Sequence, residues 1–163
     1  GHLRVEEFGL FPPSFPGSDG AAGTGCAPGT DLLPDGVWFG WVEERTSTGI
    51  EFDLACFWTG DRANEVALEH GETDVPVPND YYISNDADRV RMVAVPPDVP
   101  VSHLDYSETN TSGDPYVALT FAEWGGLTDY LNCDFDSEHE PFCLVWLFIN
   151  DGGVTEMAEQ YVP

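Results

Sequence analysis

The sequence predicts a mostly β (α+β) domain, a small, partly open antiparallel barrel, OB-like, with two short helices. Three observations carry that expectation. A run of seven apolar residues, Cys143 to Ile149, stops at Asn150-Asp151-Gly152-Gly153, the residue types a tight turn needs at φ > 0. Other short β-type segments are separated by Pro, Gly, Asn and Asp. Only two segments carry helix signals. The expected order is β-β-α-β-β-β-α-β-β.

The 143–149 run is apolar at every position, so both faces of this strand are expected to be buried, as in a central strand. Its partner after the turn, with Val154, Met157, Tyr161 and Val162 among acidic and polar residues, reads as half-exposed. Residues 1–30 are rich in Pro, Gly, Ser and Ala and read as a flexible tether, leaving 31–163 as a single β-rich domain. Residues 35–54 read as a hairpin: Val37-Trp38-Phe39-Gly40-Trp41-Val42, a polar loop from Glu43 to Gly49, and a return strand from Ile50. Gly40 among aromatics implies a bend or a close backbone approach.

Thr59-Gly60-Asp61 opens the first helix. Ala63, Val66, Ala67 and His70 follow the i, i+3, i+4, i+7 spacing and Gly71 stops it. Strands are expected over Asn79–Asp86, a short one with polar ends, at 90–95 before Pro96-Pro97, and from Val99 toward Tyr106. Tyr116 to Leu119 is a brief strand leading into Thr120-Phe121-Ala122-Glu123, a capping box with Leu119 and Trp124 placed as a hydrophobic staple. Gly125-Gly126 shortens the helix that follows.

Thirty acidic residues face five arginines and no lysine, for a formal net charge of −25 over 163 residues. Binding to nucleic acid or to an anionic membrane surface is excluded on this charge, because both need cationic side chains. The same charge implies self-repulsion that salt or bound cations relieve. The acidity reads as adaptation to salty water or a GC-rich genome, or as a cation site. Four cysteines without a Cys-x-x-C pair favour disulfides and hence an extracellular or cell-envelope location. The expected pairs are Cys133–Cys143 and, by elimination, Cys26–Cys56.

Several motifs together resemble a group of small secreted or lipid-anchored actinobacterial proteins of unknown function: Asp35-Gly36 with FGWV, Phe52-Asp53 before a Thr-Gly-initiated helix, Pro78-NDYYI-x-Asn85, and the ending WLFINDGGVTEMAEQYVP. The resemblance spans about residues 35–163. It implies an exported, envelope-associated protein and brings no activity with it.

Two candidate sites emerge. Asp134, Asp136, Glu138 and Glu140 alternate in an acidic loop between Cys133 and Cys143 and could supply oxygen ligands to Ca²⁺, although the spacing departs from an EF-hand at its sixth and twelfth positions. The same loop can equally be a solvated acidic turn beside a disulfide. Asp80, Tyr81, Tyr82 and Asn85 could bind a sugar or peptide, or simply close the ends of a strand through Asx-turns. No nucleophile, zinc or phosphate-loop motif is present. The expected function is therefore a non-enzymatic binding or structural module, monomeric, with an envelope component or small molecule as ligand and no cofactor beyond Ca²⁺. The alternative is a secreted hydrolase with a carboxylate-based site in an aromatic-lined cleft.

Overall fold

A computed structural model describes residues 33–78, 81–84, 90–105, 110, 111, 113, 115–127 and 143–160. The aromatic segment and its return form a long hairpin, β1 (Gly36–Thr46) and β2 (Gly49–Thr59), closed by the two-residue turn Ser47-Thr48. Its polar stretch from Glu43 stays in the strand and absorbs a bulge between Val42 and Glu44. Helix α1 (Gly60–Glu69) follows, burying Ala63, Val66 and Ala67. Next come β3 (Tyr81–Ser84), β4 (Val90–Ala94), β5 (Pro100–Leu104) and β6 (Tyr116–Thr120), then α2 (Phe121–Gly125), β7 (Leu144–Asn150) and β8 (Gly153–Glu159).

Four strands separate the helices where the expected order has three, although all four segments read as extended; the last, Tyr116–Thr120, pairs along its whole length with β5. The strands form an open sheet in the order β3-β2-β1-β7-β8-β5-β6, with β4 on β2 beside β3. β3 covers the second half of β2 and β4 the first half, so together they form one interrupted edge. One pairing departs from the antiparallel expectation. β5 runs parallel to β8, matching Val101 with Met157 and Ser102 with Ala158.

β7 is central as its composition requires, flanked by β1 and β8. One face carries Val145, Leu147 and Ile149 into the main core with Val42, Phe52, Val101, Trp124 and Met157. The other carries Leu144 and Trp146 into a second cluster with Phe39, Ala55 and Phe57. In that cluster the Phe39 ring lies 5.1 Å from Phe57 and 4.8 Å from Trp146. At Gly40 the neighbouring strand lies too close for a side chain. A Cβ there would meet the Asp53 carbonyl oxygen at 2.2 Å, so no side chain fits.

The β7–β8 turn places Asp151 at φ 53° and Gly152 at φ 81°, the left-handed pair that a two-residue hairpin needs. Asp35, just before β1, accepts from the N–H groups of Asp151 (3.0 Å) and Gly152 (2.9 Å), tying the start of the sheet to its final turn. The half-exposed character expected of β8 holds only for its first part. Met157, Ala158 and Glu159 are buried and so is Gln160 after them, because β5 covers that end on the side away from β7.

Cys56 and Cys143 are each disulfide-bonded, and no described cysteine is free. They are not bonded to each other: Ala55, beside Cys56, lies across β1 from Trp146, two strand spacings away, and Trp146 is itself three residues beyond Cys143. The expected pairs Cys26–Cys56 and Cys133–Cys143 each have one member outside the described residues.

Candidate functional site

Two places stand out among the described residues, one inside the sheet and one at its edge. The internal one is centred on Glu159, whose side chain is fully buried. Pairing of Val145 with Glu159 turns this carboxylate into the main core, and β5 brings His103 to the same face. His103 Nδ1 and Trp124 Nε1 (2.9 Å) both donate to Glu159 Oε2. A carboxylate acceptor calls for the imidazole proton on Nδ1. Tyr116 Oη donates to the Glu159 carbonyl at 3.0 Å. One residue on, Gln160 turns to the opposite face, where its Oε1 accepts from Trp146 Nε1 at 2.7 Å and its N–H bonds the Leu144 carbonyl.

These contacts join β5, β6, β8 and α2. Helix α2 is held by its capping box, with Glu123 N–H donating to Thr120 Oγ1 and Thr120 N–H to Glu123 Oε1. Arg45 closes its other end, donating to the carbonyls of Trp124 (2.6 Å) and Leu127 (2.7 Å), with its guanidinium 5.5 Å from the Trp124 ring centre. The Glu159 carboxylate is thus enclosed by an indole, an imidazole and apolar side chains. That arrangement holds elements together and leaves little room for a substrate.

The edge site lies along β4. Val95 N–H donates to the Thr48 carbonyl at 3.0 Å, which places Val93 and Arg91 as the hydrogen-bonded partners of Ile50 and Phe52. The backbone N–H and C=O groups of Val90, Met92 and Ala94 therefore point away from β2. Among the described residues β4 pairs with β2 alone. Val90 and Met92 are 48% and 65% exposed. Across the same face Met92 stands opposite Glu51, and Glu51 opposite Glu44. Arg45 and Arg91 pair with Ile50 and Phe52 and so project to the other face.

Two cavities adjoin these places. One of about 210 Å³ lies between β4 and the β7–β8 turn, lined by Leu33, Met92, Val93, Ala94, Ile149 and Val154 together with Gly152. The other, of about 400 Å³, lies beside the end of α2, with Arg45, Ser47, Phe121 and Gly126 in its wall. Neither has a carboxylate in its lining, so neither is the carboxylate-bearing cleft that a hydrolase of the expected kind would use.

Of the sequence-predicted site residues, Tyr81 and Tyr82 fall on opposite faces of β3 and both are half-buried. Tyr81 stacks on Phe57 at 5.7 Å within the aromatic cluster, and Tyr82 packs against α1 near His70. Asp80 and Asn85 lie outside the described residues, as do Asp134, Asp136, Glu138 and Glu140 of the expected Ca²⁺ loop. Among the described residues no three His, Cys, Asp or Glu side chains cluster closely enough to hold a metal ion. His70 is exposed at the end of α1, its Nδ1 2.8 Å from the Val66 carbonyl oxygen.

Glu159, His103 and Gln160 carried no sequence signal of burial. Glu-Gln in a polar context reads as surface, and only the parallel register of β5 on β8 reveals otherwise. The β4 edge had one partial signal, the exposed-face positions of Val90 and Met92 in VRMVAV. No family model, curated protein or solved structure matches the chain.

Proposed function

We propose that this chain is an exported, disulfide-stapled binding module, non-enzymatic and monomeric, which engages an extended peptide segment of an envelope or extracellular partner along the side of β4 that no described strand covers. The observation that carries this reading is the coincidence at Val90, Met92 and Ala94 of outward-facing backbone groups with exposed apolar side chains. Edge strands are ordinarily shielded by charge, proline or a covering element, because an open edge templates strand addition. Main-chain hydrogen bonds then supply affinity, and alternate side chains supply specificity.

The buried Glu159–His103–Trp124 group supports the non-enzymatic half of the reading. Glu159 Oε2 accepts from both His103 and Trp124, contacts that tie α2 to the β5–β8 pairing within the fold. The finer architecture belongs to the same proposal: a partly open barrel, OB-like in outline, in which β4 and the β7–β8 turn face each other across one cavity.

The test is amide hydrogen exchange with an eight-residue alternating Thr/Val peptide as probe. The amides of Val90, Met92 and Ala94 should slow on binding, while those of Arg91 and Val93, already bonded to β2, should not change. Met92→Pro removes one outward N–H without touching the β2 ladder and should abolish the effect. Unchanged exchange at all three amides with saturating peptide would sink the reading.

A further inference from the structure

Resting on that reading of the β4 edge, we infer that its occupant is a cationic β-strand, an extended segment in which arginine or lysine alternates with apolar residues. The two faces of the edge set these two requirements independently.

On the far face, the row Met92–Glu51–Glu44 places two carboxylates directly opposite one another, an arrangement that destabilises a sheet. The arginines nearest to them in the sheet, Arg45 and Arg91, are turned to the other face by their pairing with Ile50 and Phe52. The third described arginine, Arg62, is engaged on α1 with Glu65 at 3.0 Å and lies 5.1 Å from the Trp58 ring centre. A strand added to β4 brings every second side chain onto this face. An arginine opposite Met92 lays its methylene stem over the exposed thioether. Its guanidinium then extends toward Glu51, whose backbone lies two strand spacings, about 9–10 Å, from the added chain. The net charge of −25 draws such a segment in and holds off an anionic one.

On the core side, the intervening residues of the added strand meet the 210 Å³ cavity walled by Leu33, Val93, Ile149 and Val154. Small-molecule pockets run to roughly 300–1,000 Å³. This one is smaller, and the side chains that line it are apolar. The occupant's core-facing residues are accordingly aliphatic or aromatic, which completes the alternating pattern. A second copy of this chain is the less suitable occupant, because pairing β4 with β4 would set the Glu44–Glu51 row of each copy on one continuous sheet with its twin.

The experiment compares four eight-residue probes on the intact, oxidised protein, with alternating Arg/Val, Thr/Val, Glu/Val and Arg/Ser sequences. Affinity is read by fluorescence anisotropy and edge protection by amide exchange at Val90, Met92 and Ala94. The Arg/Val peptide should bind at least about tenfold more tightly than either Thr/Val or Arg/Ser at low salt, and Glu/Val should not bind. In the E44Q/E51Q variant the advantage over Thr/Val should shrink to about twofold or less. If Thr/Val and Arg/Val protect the edge equally, the cationic specificity is wrong while strand addition stands. Equal binding of Arg/Ser and Arg/Val removes the cavity from the argument and overturns the alternating pattern. If no probe protects the edge, both this inference and the reading beneath it fail. A concentration-dependent dimer that Met92→Pro dissociates would make a second copy the occupant and overturn the proposal.

Discussion

Glu159 carries an ionisable group to a place where water does not reach, and two N–H donors meet it there. A carboxylate in a dry interior is tolerated only when its lone pairs are occupied. Removing it strands those donors rather than merely deleting a contact. Glu159→Ala should therefore cost about 3 kcal/mol or more of unfolding free energy, since His103 Nδ1–H and Trp124 Nε1–H lose their acceptor in a closed core. Urea denaturation would measure the loss. A double-mutant cycle with His103→Ala should return a coupling of about 1 kcal/mol or more. A cost below about 0.5 kcal/mol would mean that water replaces the carboxylate and that the group does not lock the fold.

Among the elements, α2 depends most on its ends. It has five residues, too few for helix formation on propensity alone. Three devices compensate: the reciprocal capping box at Thr120 and Glu123, the burial of Phe121 and Trp124, and the Arg45 guanidinium on the closing carbonyls. Thr120→Ala removes the acceptor for the Glu123 N–H and should lower stability by about 1 kcal/mol, read as a shift in denaturation midpoint at unchanged slope. Far-UV dichroism would change little, because the sheet does not depend on the cap. The motif Thr-x-x-Glu is local, so it was legible in the sequence, as were the apolar α1 stripe and the tight approach at Gly40. β6 was legible as a brief strand at 116–119, whereas its place beside β5 was not, because long-range pairing sets it.

For the whole molecule the governing term is charge. A net −25 on a chain of this size places carboxylates within a Debye length of each other over the surface. Raising NaCl from 0.01 to 1 M shortens that length from about 30 Å to about 3 Å, so the melting temperature should rise along the series. Differential scanning fluorimetry over the series decides it: a flat or falling midpoint would show that the acidic residues are spaced widely enough not to matter. The same screening should weaken a cationic strand on the β4 edge, so stability and binding should move in opposite directions with salt.

The sequence by itself determined what depends on local pattern and on summed composition. The doubly apolar run at 143–149 required a strand buried on both faces, and Asn150-Asp151-Gly152-Gly153 required a tight return. The formal net charge of −25 follows from composition alone. Only the tertiary structure decided that Glu159, His103 and Gln160 are interior and that VRMVAV lies at an edge. Burial of β8 depends on a parallel neighbour more than fifty residues away in sequence, and β4 is an edge because, among the described residues, it pairs with β2 alone. Neither is encoded in the period of a segment, because each is a property of strand order, which long-range pairing sets.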